Sequence, residues 1–310
     1  MAFLCGVLSA VGAVTLVAAA VQLVNFLRVN LFGGADLKRK YAKAGDWAVV
    51  TGATEGIGYA MTLELARRGF NVCVVSRTQS KLDGLVAELA KRGVQGRAIA
   101  FDFASAGDKE YKELFAQLES LNVAILLNNV GVNYTYANYF DEVDQQEDLR
   151  IIKVNCEATM RMTKFMVPRL KAKRAGAIVM LASISAVSPA PLLSTYAGSK
   201  AFCLSFGESL AYELKEYGVD VLVVTPSLVV SRMTQGASSR KPRESFMMVG
   251  AAAMARQTLN KLGVVTQTAG HFNHAIVKSI VKLLPESFAG AKVLAMHKNI
   301  KRIAERKRAE

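Results

Sequence analysis

A tyrosine and a lysine four residues apart, Tyr196 and Lys200, stand at the start of a segment with helical periodicity. A spacing of four places both side chains on one face of a helix. The ammonium there favours the phenolate, which makes the phenol a better proton donor to an alkoxide. Ser183 ends the preceding apolar run, and its hydroxyl would hold a carbonyl oxygen near the phenol. With a hydride donor alongside, these three residues predict the reduction of a ketone.

A glycine-rich turn, Thr51 to Gly58, follows an apolar run and precedes a helical pattern. Gly52 permits a tight turn, Gly56 lets the backbone approach a pyrophosphate, and Gly58 allows the helix to pack on the strand. Free N–H groups and the helix dipole then face the phosphates. The residues expected to bind the dinucleotide here are Gly52, Thr54, Glu55, Gly56, Ile57 and Gly58.

The end of the second apolar run, Ser76-Arg77-Thr78, bears on which dinucleotide binds. In folds of this type, an acidic residue near this point accepts hydrogen bonds from the ribose 2′-hydroxyl of NAD. That acid is missing, and the Arg77 guanidinium would give a 2′-phosphate a charge-assisted partner. The sequence therefore predicts NADPH, although Arg77 as an ordinary surface cation stays an alternative.

Alternating strands and helices account for the placement of these motifs. Between Asp46 and about Gly263, short β-branched runs alternate with longer stretches of 3.6-residue periodicity. Right-handed crossovers between such units produce a Rossmann-type, doubly wound parallel α/β sheet, here a single catalytic domain over residues 45–263. The predicted strands are Trp47–Thr51, Asn71–Ser76, Arg97–Asp102, Val123–Asn128, Ala177–Ala182 and Val219–Thr225, and the clearest helices are Ile57–Arg68 and Leu82–Lys91.

Composition limits the class of protein. The chain has 310 residues, 52% of them hydrophobic, which excludes a disordered polymer, and a net charge of +14, which indicates an anionic partner. No nucleic-acid recognition motif is present, so a lipid surface or a phosphorylated cofactor is expected instead. Four scattered cysteines favour a reducing compartment. His271 and His274 have no third ligand nearby in sequence, and no metal site is expected.

Residues 1–44 are predicted to form a membrane anchor with a basic linker. No charged side chain precedes Arg28, and Phe3 to Val24 is almost wholly apolar, long enough to cross about 30 Å of hydrocarbon. The alternatives are a signal peptide, which would carry a basic start, and a buried helix, which seldom stays apolar on all sides. Basic residues follow the segment, so the positive-inside rule predicts that the catalytic domain faces the cytosol.

Residues 264–310 are predicted to form an amphipathic helix and a basic tail. Apolar residues recur from Phe272 to Leu284, but Lys278 and Lys282 fall on one helical face. A helix lying on the bilayer or on the protein is therefore favoured over a second crossing, which stays open. The tail either is solvated, binds anionic lipid, or carries an endoplasmic-reticulum retrieval signal at its last basic pair.

Ordered motifs between Asp46 and about Gly263 resemble those of the short-chain dehydrogenase/reductase family. Thr51 to Gly58 matches its TGxxxGIG turn, and Asn128 to Gly131 matches its NNxG motif. The resemblance implies a catalytic tetrad, in which an asparagine, a carbonyl-binding serine, an acid/base tyrosine and a ribose-binding lysine correspond to Asn155, Ser183, Tyr196 and Lys200.

The same resemblance implies further cofactor contacts, from Asp102, Asn129, Tyr196, Lys200, Val229 and Ser231. Val229 and Ser231 lie in the loop Pro226–Ser231, which corresponds to the family's PGxVxT motif on the nicotinamide side. This chain departs from that motif by having serine at Ser227, where the family has glycine, and serine in place of threonine at Ser231.

Within that family, the chain is most similar to the membrane-bound 17β-hydroxysteroid dehydrogenase and very-long-chain 3-oxoacyl-CoA reductase group, which also shares the run Pro189 to Leu193. The similarity implies reduction of the 3-keto group of long-chain acyl-CoA in fatty-acid elongation at the endoplasmic-reticulum membrane. A steroid or retinoid substrate stays open, as does a non-enzymatic scaffold that binds anionic lipid. A homodimer through Cys156–Arg169 and Tyr196–Tyr217, or a larger elongation complex, is the implied assembly.

A weakly periodic segment between Ser231 and Met248 is a candidate substrate lid. Its cations suit a polyanionic coenzyme A, and its apolar side chains suit an acyl or steroid channel. A solvated loop and ordinary packing are the alternatives. The residues concerned are Arg232, Arg240, Lys241, Arg243, Phe246, Met247 and Met248.

Overall fold

The computed structural model describes residues 2–31, 34, 36–235 and 243–309 of the chain. The strands are β1 (Trp47–Thr51), β2 (Asn71–Ser76), β3 (Gly96–Ala100), β4 (Val123–Asn128), β5 (Gly176–Leu181), β6 (Val219–Val224), β7 (Leu228–Val229), β8 (Met248–Val249) and β9 (Gln267–Thr268). The helices are α1 (Ala2–Leu31), α2 (Leu37–Lys40), α3 (Gly56–Arg67), α4 (Gln79–Lys91), α5 (Asp108–Glu119), α6 (Gln145–Ile152), α7 (Ala158–Lys173), α8 (Ser194–Lys215), α9 (Arg232–Gln235), α10 (Ala251–Asn260), α11 (Phe272–Leu283) and α12 (Glu286–Ala309).

Seven parallel strands form the central sheet, in the order β3-β2-β1-β4-β5-β6-β9. The predicted Rossmann-type doubly wound sheet is therefore confirmed, and all six predicted strands are present within two residues of their expected ends. The seventh strand, Gln267–Thr268, escaped prediction because two polar residues carry no apolar run. The division of the chain at residue 263 stays a prediction, and the sheet itself continues to residue 268.

Burial on both faces explains why the strands are continuous apolar runs. All residues of β4 and β5 are buried. Helices α3, α4 and α10 pack on one face of the sheet, and α5, α7 and α8 pack on the other. Because β1 pairs with both β2 and β4, the strand order reverses direction at β1, and a crevice opens at the carboxyl ends of these strands.

The N-terminal helix α1 stands apart from this core. Its segment Phe3–Leu31 has a mean hydropathy of 2.3, none of it is buried in the protein, and it is long and apolar enough to cross a membrane. The end of α1 nearest the catalytic domain touches α11, where the rings of Phe26 and Phe272 lie 5.9 Å apart. Lys261 Nζ also donates to Asn30 Oδ1 at 2.8 Å. The C-terminal end of α1 is therefore joined to α11 and to the C-terminal end of α10.

The two C-terminal helices both pack on the domain. Helix α11 docks through His274, Val277 and Lys278, so Lys278 is a buried docking residue, whereas the pattern had suggested a lysine at the edge of an interfacial helix. Helix α12 lies over the loops that flank β5 and α6: His297 Nδ1 is 2.6 Å from the carbonyl oxygen of Pro191, and Lys301 pairs with Glu142.

Candidate active site

Thr51, the last residue of β1, ties the glycine-rich turn to the end of β4. Its buried Oγ1 accepts from the backbone N–H of Asn129 at 3.0 Å and of Val130 at 3.1 Å. Asn129 Nδ2 donates in return to the carbonyl oxygens of Thr51 at 2.9 Å and Gly52 at 3.0 Å. The predicted cofactor residue Asn129 therefore braces the turn from the neighbouring strand.

Each glycine of the turn is required by its surroundings. Gly52 and Gly56 have φ of +64° and +56°, a region that favours glycine. A Cβ on Gly58 would stand 2.3 Å from the Gly52 carbonyl oxygen and from Asn129 Nδ2, so only glycine lets α3 approach the turn. Glu55 occupies the N-cap position of α3, but its side chain accepts no hydrogen bond from the helix, which leaves the first N–H groups available to a phosphate.

The outer wall of the turn is polar. An open depression there is lined by Thr54, Glu55, Gly56, Tyr59 and Arg232. Lys81 donates to Glu55, and this hydrogen bond is the main reason why the pKa of the Glu55 carboxyl lies below its usual value. The free N–H groups at the start of α3, beside the glycines of the turn, fit the pyrophosphate of a dinucleotide.

Arg77 directly follows the last residue of β2. Thr54 Oγ1 and Ser76 Oγ are 3.0 Å apart, so the turn is joined to the residue directly before Arg77. Arg77 is exposed, and none of the ion pairs among the described residues includes it. Asp102 follows β3 and accepts from the backbone N–H of Ala104 at 3.1 Å, which orients its carboxylate beside the same end of the sheet.

Lys200 and Asn155 converge on Gly131. A Cβ at Gly131 would stand 3.2 Å from Lys200 Nζ and 3.4 Å from Asn155 Oδ1, so glycine leaves the space between them open. Lys200 is buried on α8, and its Nζ donates to the carbonyl oxygen of Leu181, the last residue of β5, at 2.8 Å. Nζ also lies 5.9 Å from the ring centre of Tyr196. The four-residue spacing does bring the phenol and the ammonium together.

Asn155 lies in a single π-helical turn between α6 and α7. Its amide makes three hydrogen bonds: Oδ1 accepts from Val132 N at 2.8 Å, and Nδ2 donates to Val132 O at 3.0 Å and to Ser199 Oγ at 2.9 Å. Wide helical turns of this kind occur frequently at functional sites. Asn155 thus links the loop after β4 to the helix that carries Tyr196 and Lys200.

Ser183 stands two residues beyond β5. It is buried, and its Oγ accepts from the backbone N–H of Ser185 at 3.2 Å, which leaves its own hydroxyl proton free to donate. The loop between Ser183 and Tyr196 is fixed by two contacts near its end. Asn138 N donates to the carbonyl oxygen of Leu192 at 3.0 Å, and His297 of α12 contacts the carbonyl oxygen of Pro191. Tyr196 follows in the first turn of α8 and is half-buried.

The loop after β6 closes against the glycine turn. A Cβ on Gly56 would lie 3.1 Å from Ser231 Cβ, and Arg232 lies 3.6 Å from Glu55. Thr234 Oγ1 fixes the loop by donating to the carbonyl oxygen of Val229 at 2.7 Å. The predicted cofactor residue Ser231 is therefore beside the turn, and Val229 lies two residues earlier, in β7.

The candidate lid is only partly on this side. Arg232 faces the phosphate turn, and Arg243 is exposed, whereas Arg240 and Lys241 lie outside the described residues. Phe246 and Met247 are about half exposed, while Met248 pairs with Leu228 in a two-stranded parallel sheet formed by β7 and β8. This small sheet anchors both ends of the lid segment.

Sequence reasoning missed the side chains that hold the site from outside. Thr51 was included only as part of a motif, and Thr234 had no signal. His274 and Lys278 were treated as residues of a surface helix, although both are buried and both bind the segment that follows β6. The polar residues His274 and Lys278 on the apolar face of α11 are the feature of the sequence that could have indicated these contacts.

Comparison with known proteins agrees with this geometry. The family model for the short chain dehydrogenase matches residues 46–242. A very-long-chain 3-oxoacyl-CoA reductase of Pyricularia oryzae is 38% identical over 312 residues, covering 97% of this chain and 92% of that protein. A protein of the same name from Podospora anserina is 37% identical over 258 residues, covering 83% of this chain and 74% of its own.

Solved structures share the fold. A structure of 7beta-hydroxysteroid dehydrogenase has a TM-score of 0.74 at 24% identity, covering 84% of this chain and 99% of its own. A short-chain dehydrogenase from Sphingobium yanoikuyae in complex with NADPH has a TM-score of 0.62 at 26% identity, covering 69% and 82%. With the glycine turn, the parallel sheet and the family match in agreement, the chain belongs to the short-chain dehydrogenase family and is an NAD(P)-dependent oxidoreductase.

Proposed function

We propose that this protein reduces the 3-keto group of long-chain 3-oxoacyl-CoA to a secondary alcohol with NADPH. The observation that carries the proposal is the convergence of Lys200 and Asn155 on Gly131, one helical turn from Tyr196 and beside the strand end that leads to Ser183. The relatives that are named very-long-chain 3-oxoacyl-CoA reductase, one of them matched over 97% of this chain, support the substrate class.

Each member of the tetrad has a distinct task in this proposal. The Ser183 hydroxyl and the Tyr196 phenol donate hydrogen bonds to the substrate carbonyl oxygen, and Tyr196 then gives its proton to the alkoxide. Lys200 favours the phenolate that this leaves behind, and it contacts the nicotinamide ribose. Asn155 holds the backbone at Val132 and the hydroxyl at Ser199, so it supports the proton supply to Tyr196 through water.

The same proposal assigns a task to each cofactor residue. NADPH supplies the hydride when bound. The first turn of α3 binds its pyrophosphate, Arg77 pairs with the 2′-phosphate, and Asp102 contacts the adenine. Val229 and Ser231 border the nicotinamide end. The solved NADPH complex with this fold supports a phosphorylated dinucleotide.

A membrane-borne substrate is supported by the continuity between the anchor and the lid. Asn273 Nδ2 on α11 donates to the carbonyl oxygen of Phe246 at 3.2 Å, and Phe272, one residue before, packs on Phe26 of α1. An acyl chain that leaves the bilayer at the C-terminal end of α1 would therefore contact the half-exposed side chains of Phe246 and Met247. We place the protein in the endoplasmic-reticulum membrane, with its catalytic domain in the cytosol.

Assembly is part of the same proposal. Helices α7 and α8 are the proposed homodimer faces, and α8 exposes Tyr212 to 82% and a stacked pair, Phe202 and Phe206, with ring centres 5.3 Å apart. The same faces would serve an elongation complex. Cross-linking of the protein in its native membrane distinguishes the two.

The test is NADPH consumption by the full detergent-solubilised chain supplied with a long-chain 3-oxoacyl-CoA. We expect a rate that Tyr196→Phe reduces at least about 1000-fold, within the range for loss of general acid catalysis plus a carbonyl hydrogen bond. NADH in parallel examines the cofactor, and a 17-ketosteroid examines the alternative substrate. Turnover of the steroid alone would make the steroid, and not the acyl-CoA, the substrate. A rate that Tyr196→Phe leaves unchanged would refute the proposed role of the tetrad.

A further inference from the structure

His274 is a fully buried histidine on α11, outside the tetrad and outside the glycine turn. Both of its ring nitrogens contact the loop that follows β6. The backbone N–H of Ser227 donates to Nδ1 at 3.3 Å, and Nε2 lies 3.1 Å from the carbonyl oxygen of Leu228. One imidazole therefore bridges two consecutive residues of the loop Pro226–Ser231.

The partners determine the tautomer of the ring. Ser227 offers a donor, so Nδ1 must be unprotonated, while Leu228 offers an acceptor, so Nε2 must carry the proton. Burial lowers the pKa of His274 to about 4, chiefly by desolvation, which keeps the ring in this neutral form at neutral pH.

A second polar side chain on the same face of α11 holds the strand from which the loop leaves. Lys278, one helical turn after His274, donates from Nζ to Thr225 Oγ1 at 3.0 Å and to Gln267 Oε1 at 2.8 Å. It is buried, and its pKa is lowered to about 8 by desolvation. Helix α11 is thus hydrogen-bonded, through His274 and Lys278, to three residues that follow β6: Thr225, Ser227 and Leu228.

The far end of this loop borders the glycine turn. Leu228 and Val229 form β7, and two residues later Ser231 stands against Gly56 of the phosphate turn. A shift of the backbone at Ser227 and Leu228 would move Val229 and Ser231 with it, since they are joined through the short strand. The two hydrogen bonds of His274 are the side-chain restraint on the loop's first half.

We propose that His274 is a positioning residue for the nicotinamide end of the cofactor: its neutral imidazole holds Ser227 and Leu228 so that Val229 and Ser231 border the nicotinamide. The inference rests on the proposed function for the identity of that cofactor. It adds a residue from the C-terminal segment, 264–310, to a site otherwise built from residues 51–231. It also means that α11, which contacts the C-terminal end of α1, bears directly on the cofactor cleft.

The test compares two ligands that share the adenosine half. NADPH reaches both ends of the cleft, whereas adenosine 2′,5′-bisphosphate has no nicotinamide ribose. His274→Phe keeps an aromatic ring but removes both nitrogens, and we expect it to weaken NADPH binding by about tenfold or more, as for loss of buried hydrogen bonds. Binding of adenosine 2′,5′-bisphosphate should stay within about twofold, since the phosphate turn is untouched.

Two further variants sharpen the result. His274→Gln retains one acceptor and one donor, and we expect it to recover part of the NADPH affinity. His271→Asn is the matched control, because His271 lies three residues earlier and caps α11 by accepting from Asn273 N, a role that asparagine also fills. Its ring packs edge-on against that of His274, with ring centres 6.0 Å apart, but the substitution leaves both hydrogen bonds of His274 to the loop in place. This control should bind both ligands like the wild type.

A readout without any cofactor separates the inference from the proposed function. Hydrogen exchange of the backbone N–H groups at 227–231 should be faster in His274→Phe than in the wild type, and unchanged in His271→Asn. Equal exchange and equal NADPH affinity in His274→Phe would overturn the proposal, and so would equal weakening of both ligands. If the wild type fails to bind NADPH, the proposed cofactor is wrong, and the exchange comparison still decides whether His274 holds the loop.

Discussion

Replacing Gly58 by alanine tests whether the glycine turn is shaped by contact with its neighbours. The new Cβ would stand 2.3 Å from the Gly52 carbonyl oxygen and from Asn129 Nδ2, about 1 Å closer than ordinary contact. These two atoms are also hydrogen-bonded to each other at 3.0 Å. Relieving the overlap must therefore separate Asn129 from the turn that it braces.

The magnitude follows from three contributions. Overpacking costs about 1–3 kcal/mol, and loss of the hydrogen bond between Asn129 and Gly52 costs about 0.5–1.5 kcal/mol. The better helix propensity of alanine returns about 1 kcal/mol. We expect the free energy of unfolding to fall by about 0.5–3.5 kcal/mol, with weaker NADPH binding because the first turn of α3 is displaced.

Gly84→Ala is the matched control, since Gly84 is an exposed residue of α4 whose Cβ would meet no atom within 4 Å. The same chemical change should there stabilise the protein by about 0.5–1 kcal/mol. Urea unfolding of the full chain in detergent, followed by the fluorescence of the single tryptophan, Trp47 at the start of β1, measures both. Equal shifts for the two variants would refute the contact argument.

Three further outcomes are expected. Arg77→Ser should raise the KM for NADPH about tenfold or more, by loss of a charge-assisted hydrogen bond, and leave the KM for NADH unchanged in steady-state assays; parallel changes would contradict the role of Arg77. The pKa of His274 is about 4 in the folded protein, below its ordinary value of 6.5. Between pH 6.5 and pH 4 the unfolded chain therefore binds more protons than the folded protein. The free energy of unfolding then decreases as the pH falls, by up to about 1.4 kcal/mol per pH unit. Urea unfolding should therefore show a flatter pH dependence in His274→Phe than in the wild type, and identical slopes would argue against a buried neutral ring. The wild type is the reference because burial lowers the pKa of His271 as well, so a variant at His271 would change the slope by itself. Lys301→Met should speed hydrogen exchange in α12, because Lys301 joins that helix to Asn138 and Glu142; unchanged exchange would mean that apolar packing alone holds it.

Local pattern accounts for most of the sheet. Five strands, β1, β2, β4, β5 and β6, are buried almost throughout, so their apolar runs are visible in the sequence, whereas the edge strand β3 is only partly buried. The glycine spacing between β1 and α3 marks the turn because each glycine meets a backbone constraint. The pair Tyr196 and Lys200 is likewise local, since four residues along one helix determine their proximity. Such features need no knowledge of distant segments.

Distant contacts were decided by the tertiary structure alone. The strand Gln267–Thr268 forms only because β6 offers it a free edge, and His274 and Lys278 become buried only because α11 packs against the segment that this edge precedes. A helical pattern reports that a face is apolar, yet it does not report which partner covers that face.

The sequence by itself determined the fold family and the glycine turn, since both depend on short-range patterns, while the tetrad of Asn155, Ser183, Tyr196 and Lys200 stays a prediction from the family resemblance. Only the tertiary structure decided that Thr51 and Asn129 lock the turn across strands, that Ser231 faces Gly56, and that a histidine near the C-terminus supports the loop between them. The physical reason is that hydrogen bonds between residues far apart in the chain depend on how the elements pack, and packing is a property of the whole assembly of layers.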